Sequence, residues 1–322
     1  VVSTQSTGTN IMTCPDHTKV IIIGGGPAAL AAAIYTGRAG LNPTVFLGIE
    51  TSSQLTTTTH VENYPGFKSI LGPDLVQNMI EQAQGCGANI MYEDVLSIDV
   101  TKKPFSVKHG FEDHVAHCDS IIYCTGAKAQ RLDVPGEKQF WQKGISACAV
   151  CDSGMSKNKV TMVVGGGDVA CEEAVYLTAF ASKVYQVLRR DQFRASKALA
   201  DRVLNNSKIE VIYDSGVEEI FGDKKITAVN LKNFKTGKTE KVEVGALFWA
   251  IGHKPATDLI NGQVKLDGHG YIALGAQNQE TSVPGFFAAG DCADPVYKQA
   301  AVAAGAGVKA ALDCERYLQT LK

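Results

Sequence analysis

Apolar residues in this chain come in short unbroken runs, several of which end at glycines. Val20-Ile21-Ile22-Ile23 runs into Gly24-Gly25-Gly26-Pro27-Ala28-Ala29, and Leu30-Ala31-Ala32-Ala33-Ile34-Tyr35 follows with helical character. Pro43-Thr44-Val45-Phe46-Leu47 is the next apolar run. Continuous apolar runs of this length fit strands buried on both faces, so the segment reads as strand, tight turn, helix, strand. The plan recurs further on. Lys159 to Val164 runs into Gly165-Gly166-Gly167-Asp168-Val169-Ala170, Cys171 to Leu177 reads as helix, and Ser182 to Leu188 as strand. Ile121 to Ala127 and Leu247 to His253 form a matched pair of apolar strands that close the repeats. A last run, Gly285 to Asp291, precedes an Ala- and Gly-rich helix over 299–312. No third repeat claims that segment, so it returns to the first domain. The predicted fold is α/β, with two Rossmann-like dinucleotide-binding domains, the second inserted into the first. The boundaries expected are a flexible segment over 1–18, a first domain over 19–128 and 257–322, and an inserted domain over 129–256.

Composition narrows the function. The 322 residues are 45% hydrophobic and 20% charged, with a formal net charge of -2. That balance gives no support to a nucleic-acid surface. No apolar run reaches the roughly 18–20 residues a membrane-spanning helix needs. The first ten residues carry neither the basic start nor the apolar stretch of a signal peptide. Nine cysteines, an odd and scattered set, do not form a secreted disulfide framework. A cytoplasmic setting is expected.

Each glycine turn suits a dinucleotide pyrophosphate. The first glycine makes the turn, the second lets backbone approach the ligand, and the third position (Ala29 or Ala170) allows close helix–strand packing, with the helix N-terminus facing the anion. Gly24, Gly25, Gly26, Pro27 and Ala28 form one such cradle; Gly165, Gly167, Asp168 and Ala170 belong to the other. Their partners differ. Arg189, Arg190 and Arg194 follow the second repeat's second strand, where an NAD site would place an acid on the ribose. Three arginines suit a 2′-phosphate, so NADPH is expected over NADH. After the first repeat's second strand stands Glu50, positioned for a ribose hydroxyl or simply for solvent. With no 2′-phosphate signal, the first site fits FAD.

Cys148-Ala149-Val150-Cys151-Asp152 lies just before the second glycine turn. Half a zinc site is one reading, but no second C-x-x-C or His pair completes it. Chance spacing of structural thiols is another. The third is a redox dithiol, whose thiol near a helix start can have a lowered pKa. No His lies in the segment, so Asp152 is the nearest acid–base candidate.

Taken together these residues resemble low-molecular-weight thioredoxin reductase, from Val20 to about Leu318. The most specific stretches are Gln54 to Thr59, Val61 to Phe67, Cys148 to Asp152, Arg189 to Ser196, and Gly290-Asp291 with Gln299-Ala300. The resemblance implies one FAD, one NADPH and a homodimer. It implies FAD contacts at Gly25 to Ala28, Gln54, Asn63, Asp291, Gln299 and Ala300; Gly24, Glu50, Val95, Gly126 and Lys298 are further candidates for the same site. It implies that Cys151 lies against the flavin, that Cys148 attacks the disulfide of thioredoxin, and that Asp152 handles the proton. Arg189, Arg190 and Arg194 would hold the 2′-phosphate. The chain departs from the pattern at Leu188, Ser52-Ser53, His60, Ser153, Gly154-Met155 and Lys298.

One dithiol must meet both a flavin and a protein. The tail, Cys314 to Lys322, carries a single Cys, and no cysteine pair stands near Gln54. Domain rotation about linkers near 126–133 and 252–257 is therefore expected in the cycle. The competing readings are an FAD-dependent dithiol oxidase, which the arginines disfavour, and a flavoprotein reductase for another disulfide partner. A peroxidase-system reductase and a ferredoxin-linked reductase are disfavoured further; a non-catalytic flavin-binding redox sensor is a reading that steady NADPH-dependent reduction of a disulfide substrate would exclude.

Overall fold

The apolar run at Val20 folds as a central strand, His17–Ile23, in the computed structural model, which describes residues 14–49, 53–112 and 114–321. Thr44–Phe46 and Asn89–Met91 lie parallel on one side of it, and His114–Tyr123 lies parallel on the other. Val20 and Ile22 enter one core and Ile21 and Ile23 the opposite one. Both sheet faces are covered, which is why the run is apolar without alternation. His114–Tyr123 is ten residues long, enough to serve two partners on its far side. Phe105–His109 pairs antiparallel with its first half, and Phe286–Ala288 pairs parallel with Ile121 to Tyr123. The segment after Gly285 therefore returns to the first sheet. Val95–Asp99 closes the antiparallel arm against Phe105–His109.

The second sheet holds five parallel strands, in the order Ile145–Ser146, Ala246–Trp249, Val160–Val164, Lys183–Val187, Ile209–Ile212. A separate antiparallel sheet is made of Ser215–Gly222, Ile226–Asn233 and Thr239–Glu243. The chain divides into two compact units. One comprises the residues up to Ala127 and those from Pro255 onward; the other is Lys128–Lys254. The two crossings, Ala127–Ala129 and His253–Pro255, pair as a two-stranded sheet.

The last helix runs Ala300–Thr320, eight residues beyond the predicted end at 312. The polar stretch Asp313 to Arg316 hides its continuation, but Ala310, Ala311, Cys314 and Leu318 fall on one buried stripe at helical spacing. This helix packs along Pro27–Arg38, where a Cβ on Gly307 would come within 2.0 Å of the Ala28 carbonyl oxygen.

Candidate active site

The two glycine turns adopt one backbone conformation. Gly26 and Gly167 cap their helices with φ/ψ of -94°/179° and -93°/179°. Gly24 and Gly165 have φ of 134° and 150°, a region that disfavours side chains. A Cβ at Gly24 would meet the Cys124 carbonyl oxygen at 2.2 Å, and at Gly165 the Ala250 oxygen at 2.3 Å. Each turn is thus pressed against the strand that closes its repeat. The helices start at Pro27 and Asp168, so their first N–H groups point outward with no intrahelical partner. A cradle that only glycine fits, at a helix N-terminus, has the chemistry of a pyrophosphate site.

In the first unit, polar side chains collect at the carboxyl ends of the parallel strands, where doubly wound folds bind ligands. The Gln54 amide donates to the Ala127 oxygen at 2.7 Å, which brings Gln54 beside Gly126. The Asn63 amide donates to Gln299 Oε1 at 3.3 Å, joining Asn63 to the N-terminus of the helix beginning at Ala300. Gly290 lies against Ala28 and carries Asp291 with it. Burial pushes the Asp291 carboxyl up to about 6; the Asp294 charge adds to the rise and Lys298 opposes it. Val95 follows Asp94, whose Oδ1 accepts from the Ile49 N–H at 3.1 Å, so it sits by the turn after the second strand. Glu50 lies outside the described residues. This donor set suits the pyrophosphate and ribose of an adenine dinucleotide.

In the second unit, the arginine loop is laced to the glycine turn. The Arg194 N–H donates to the Gly166 oxygen at 2.7 Å, and the Ser196 N–H donates to Asp168 Oδ1 at 2.8 Å. Arg194 Nη2 lies 4.0 Å from where a Gly167 Cβ would stand. Arg189, Arg190 and Arg194 are all exposed and make no ion pair among the described residues. The acid among them, Asp191, is paired with Lys235 at 3.0 Å. Leu188 is buried beside Gly166, where an added Cβ would come within 3.1 Å of Leu188 Cγ. Its side chain shapes the floor of the turn rather than facing solvent beside the arginines.

Cys148 and Cys151 form a disulfide. Cys148 caps the short helix Ala149–Asp152, and its Sγ accepts from the Cys151 N–H at 3.2 Å. On reduction, that N–H favours a thiolate at Cys148. Cys148 is half-buried and Cys151 exposed. Ala149 packs into a core with Ala170, Ala174 and Leu177 of the nucleotide-turn helix Asp168–Leu177, and its N–H donates to Glu173 Oε1 at 3.2 Å. The dithiol is thereby fixed to the helix that follows the second glycine turn.

Asp152 faces inward. Burial pushes its carboxyl above the ordinary aspartate value, against a lowering hydrogen bond from Ser146. The Ser146 hydroxyl donates to Asp152 Oδ2 at 2.5 Å and accepts from the Cys148 N–H at 3.0 Å. One hydroxyl thus ties the acid to the cysteine turn. Ser146, Glu173 and Lys235 were not among the sequence candidates. Only the position of Ser146, two residues before Cys148, signals it in the sequence.

A repeated strand–glycine turn–helix with a C-x-x-C disulfide fixed to the second repeat defines a dinucleotide-type redox scaffold. Residues 18–307 match the model of the pyridine nucleotide-disulphide oxidoreductase family. A thioredoxin reductase of Spironucleus barkhanus is 63% identical over 299 residues, 93% of this chain and 98% of the relative. A thioredoxin reductase of Dictyostelium discoideum is 47% identical over 94% of this chain and 98% of its own length. The structure of thioredoxin reductase from Giardia duodenalis matches with a TM-score of 0.90 and 56% identity, covering 95% of this chain and 100% of that one. The chain therefore belongs to the pyridine nucleotide-disulphide oxidoreductase family and, within it, to the thioredoxin reductases. Among the described residues no helix is long and apolar enough to cross a membrane.

Proposed function

We propose that the chain is an NADPH-dependent thioredoxin-disulfide reductase that passes electrons through FAD and the Cys148–Cys151 pair to the disulfide of thioredoxin. The observation that carries this reading is the disulfide fixed to the nucleotide-turn helix through Ala149 and Glu173. The unit of residues up to Ala127 and from Pro255 is the FAD domain, and Lys128–Lys254 the NADPH domain. Gly24 to Ala28 hold the FAD pyrophosphate, with Gln54, Asn63, Val95, Gly126, Asp291, Lys298, Gln299 and Ala300 around the rest of the cofactor. Gly165, Gly167, Asp168 and Ala170 cradle NADPH, and Arg189, Arg190 and Arg194 take its 2′-phosphate. When bound, NADPH supplies a hydride and the flavin conveys the two electrons to the disulfide. Seven described cysteines are free thiols, which supports a reducing, cytoplasmic setting. The assembly is a homodimer, as the resemblance implies.

The chain's own residues then act as follows. Reduction opens the Cys148–Cys151 bond and leaves two thiol groups. The Cys148 thiolate, favoured by the Cys151 N–H, attacks one sulfur of the thioredoxin disulfide, forming a mixed disulfide and releasing the other sulfur as a thiolate. Asp152, holding its proton above the ordinary aspartate range, protonates that leaving thiolate. Cys151 attacks Cys148 Sγ, which re-forms the internal disulfide and frees the second thioredoxin thiol. The pair must meet the flavin and the protein in turn, so motion about the two crossings is part of the cycle. A covalent link locking the units should stop thioredoxin reduction; unimpaired turnover in the locked enzyme would sink that step.

The test of the function is NADPH-dependent appearance of thioredoxin thiols at steady state under anaerobic conditions. Oxygen consumption driven by dithiols, without NADPH, would instead mark a dithiol oxidase. Reduction of another protein disulfide but not of thioredoxin would mark a reductase for a different partner. The three exposed arginines weigh against the first of these.

A further inference from the structure

The antiparallel sheet of the second unit has no part in the chemistry above. Its last hairpin joins Ile226–Asn233 to Thr239–Glu243, and the turn between them carries Lys235. Asn233 Oδ1 accepts from the Lys235 and Thr236 N–H groups at 3.1 and 2.9 Å, which sets the turn. The Phe234 N–H donates to the Asp214 oxygen at 2.7 Å, and the Asp214 N–H donates to the Arg190 oxygen at 3.3 Å. The hairpin tip is thus stitched, through Asp214, to the arginine loop itself. Lys235 Nζ lies 3.0 Å from Asp191 Oδ2 and 3.0 Å from Asp214 Oδ2.

Asp191 stands directly after Arg189 and Arg190 and three residues before Arg194. An uncompensated carboxylate there would repel a phosphate dianion and compete with it for the guanidinium groups. Asp191 is turned to Lys235 instead, and among the described residues no carboxylate pairs with the three arginines.

We propose that Lys235 is a specificity-determining residue: by holding Asp191 and Asp214 it keeps the arginine loop open to a 2′-phosphate. The inference rests on the NADPH reading above and extends it to a residue outside the nucleotide motif. Lys235 acts on discrimination between phosphorylated and plain adenosine nucleotides, not on the redox steps.

The test measures equilibrium binding to the oxidised holoenzyme with two fragments, adenosine 2′,5′-bisphosphate and adenosine 5′-monophosphate. Lys235→Met should weaken the bisphosphate about 5-fold at low salt and leave the monophosphate unchanged, with the difference shrinking below about 2-fold near 0.5 M salt, as expected of an exposed charge. Adding Asp191→Asn to Lys235→Met should restore bisphosphate binding to within about 2-fold of wild type, because the repelling carboxylate is gone. Equal weakening of both fragments would show a merely structural role and overturn the proposal, as would no change at all or no rescue by Asp191→Asn. A wild type that binds the two fragments equally would overturn the NADPH reading itself. A wild type that favours the bisphosphate, with Lys235→Met unaltered, would overturn only the part assigned to Lys235.

Discussion

The two glycine turns share a backbone and differ in their cover. In the first repeat, ten of the twelve residues of Pro27–Arg38 are buried, because the Ala300–Thr320 helix and the Gly72–Gly85 helix enclose it. In the second, the helix Asp168–Leu177 buries only Ala170, Cys171, Ala174 and Leu177. Its other side stays open; the arginine loop attaches at its start and the dithiol helix along its flank. On the function proposed above, the same local device would hold FAD in one unit and take up NADPH in the other. The surroundings, not the turn, decide which.

Gly24→Ala against Gly165→Ala separates the two roles with the largest expected effect. Both Cβ atoms would overlap a backbone carbonyl at under 2.5 Å, so neither turn can keep its shape. Gly24→Ala should abolish flavin retention and much of the folded yield, because its repeat lies in the main core. Gly165→Ala should purify yellow, with near-normal flavin absorbance, but its flavin should no longer bleach with NADPH. Flavin content and anaerobic spectra read both outcomes.

Next in size is Asp152→Asn. Loss of a general acid–base group commonly costs 10²–10⁴-fold, and that range is expected for thioredoxin turnover with flavin reduction by NADPH unchanged. Arg189→Gln with Arg190→Gln should raise the KM for NADPH about 10- to 100-fold and leave that for NADH within about 2-fold, since charge-assisted contacts to a phosphate are lost. Steady-state kinetics with both nucleotides decide this.

Ser146→Ala should have the smallest effect on rate, about 10-fold or less, and a distinctive one on pH. The Ser146 hydroxyl stabilises the charged Asp152 carboxylate, while burial disfavours it. Removing the hydroxyl leaves burial unopposed, so the Asp152 pKa should rise and its limb of the pH–rate profile move to higher pH. Glu173, on the packed helix, is the other ionisable group at the dithiol turn and is present in both proteins. Ser146→Thr should bring the limb back. A drop in rate with an unmoved limb would show that Ser146 only supports the turn.

Much of this was legible in the sequence because glycine turns and continuous apolar strands leave strong local patterns. Val20 to Ala29 and Val160 to Ala170 both fold as strand, turn and helix, and the segment after Gly285 returns to the first sheet. The antiparallel arm around Phe105–His109 and the sheet whose hairpin bears Lys235 are not legible, because their strands mix polar and apolar residues and lack a continuous apolar run. The end of the last helix is hidden where Asp313, Glu315 and Arg316 interrupt the apolar pattern around the buried Cys314. Ser146 and Lys235 escaped for a different reason. Each acts through a contact to a residue that lies elsewhere in the chain, six positions away for Ser146 and 44 for Lys235.

The most direct test of the electron path is an anaerobic titration with NADPH followed by addition of oxidised thioredoxin, in wild type and Cys148→Ser. In wild type the flavin should bleach and then recover its colour as thioredoxin thiols appear. In Cys148→Ser the flavin should bleach with NADPH and stay bleached, with no thiols formed. Recovery of flavin colour with thiol formation in Cys148→Ser would contradict a path through Cys148 and Cys151.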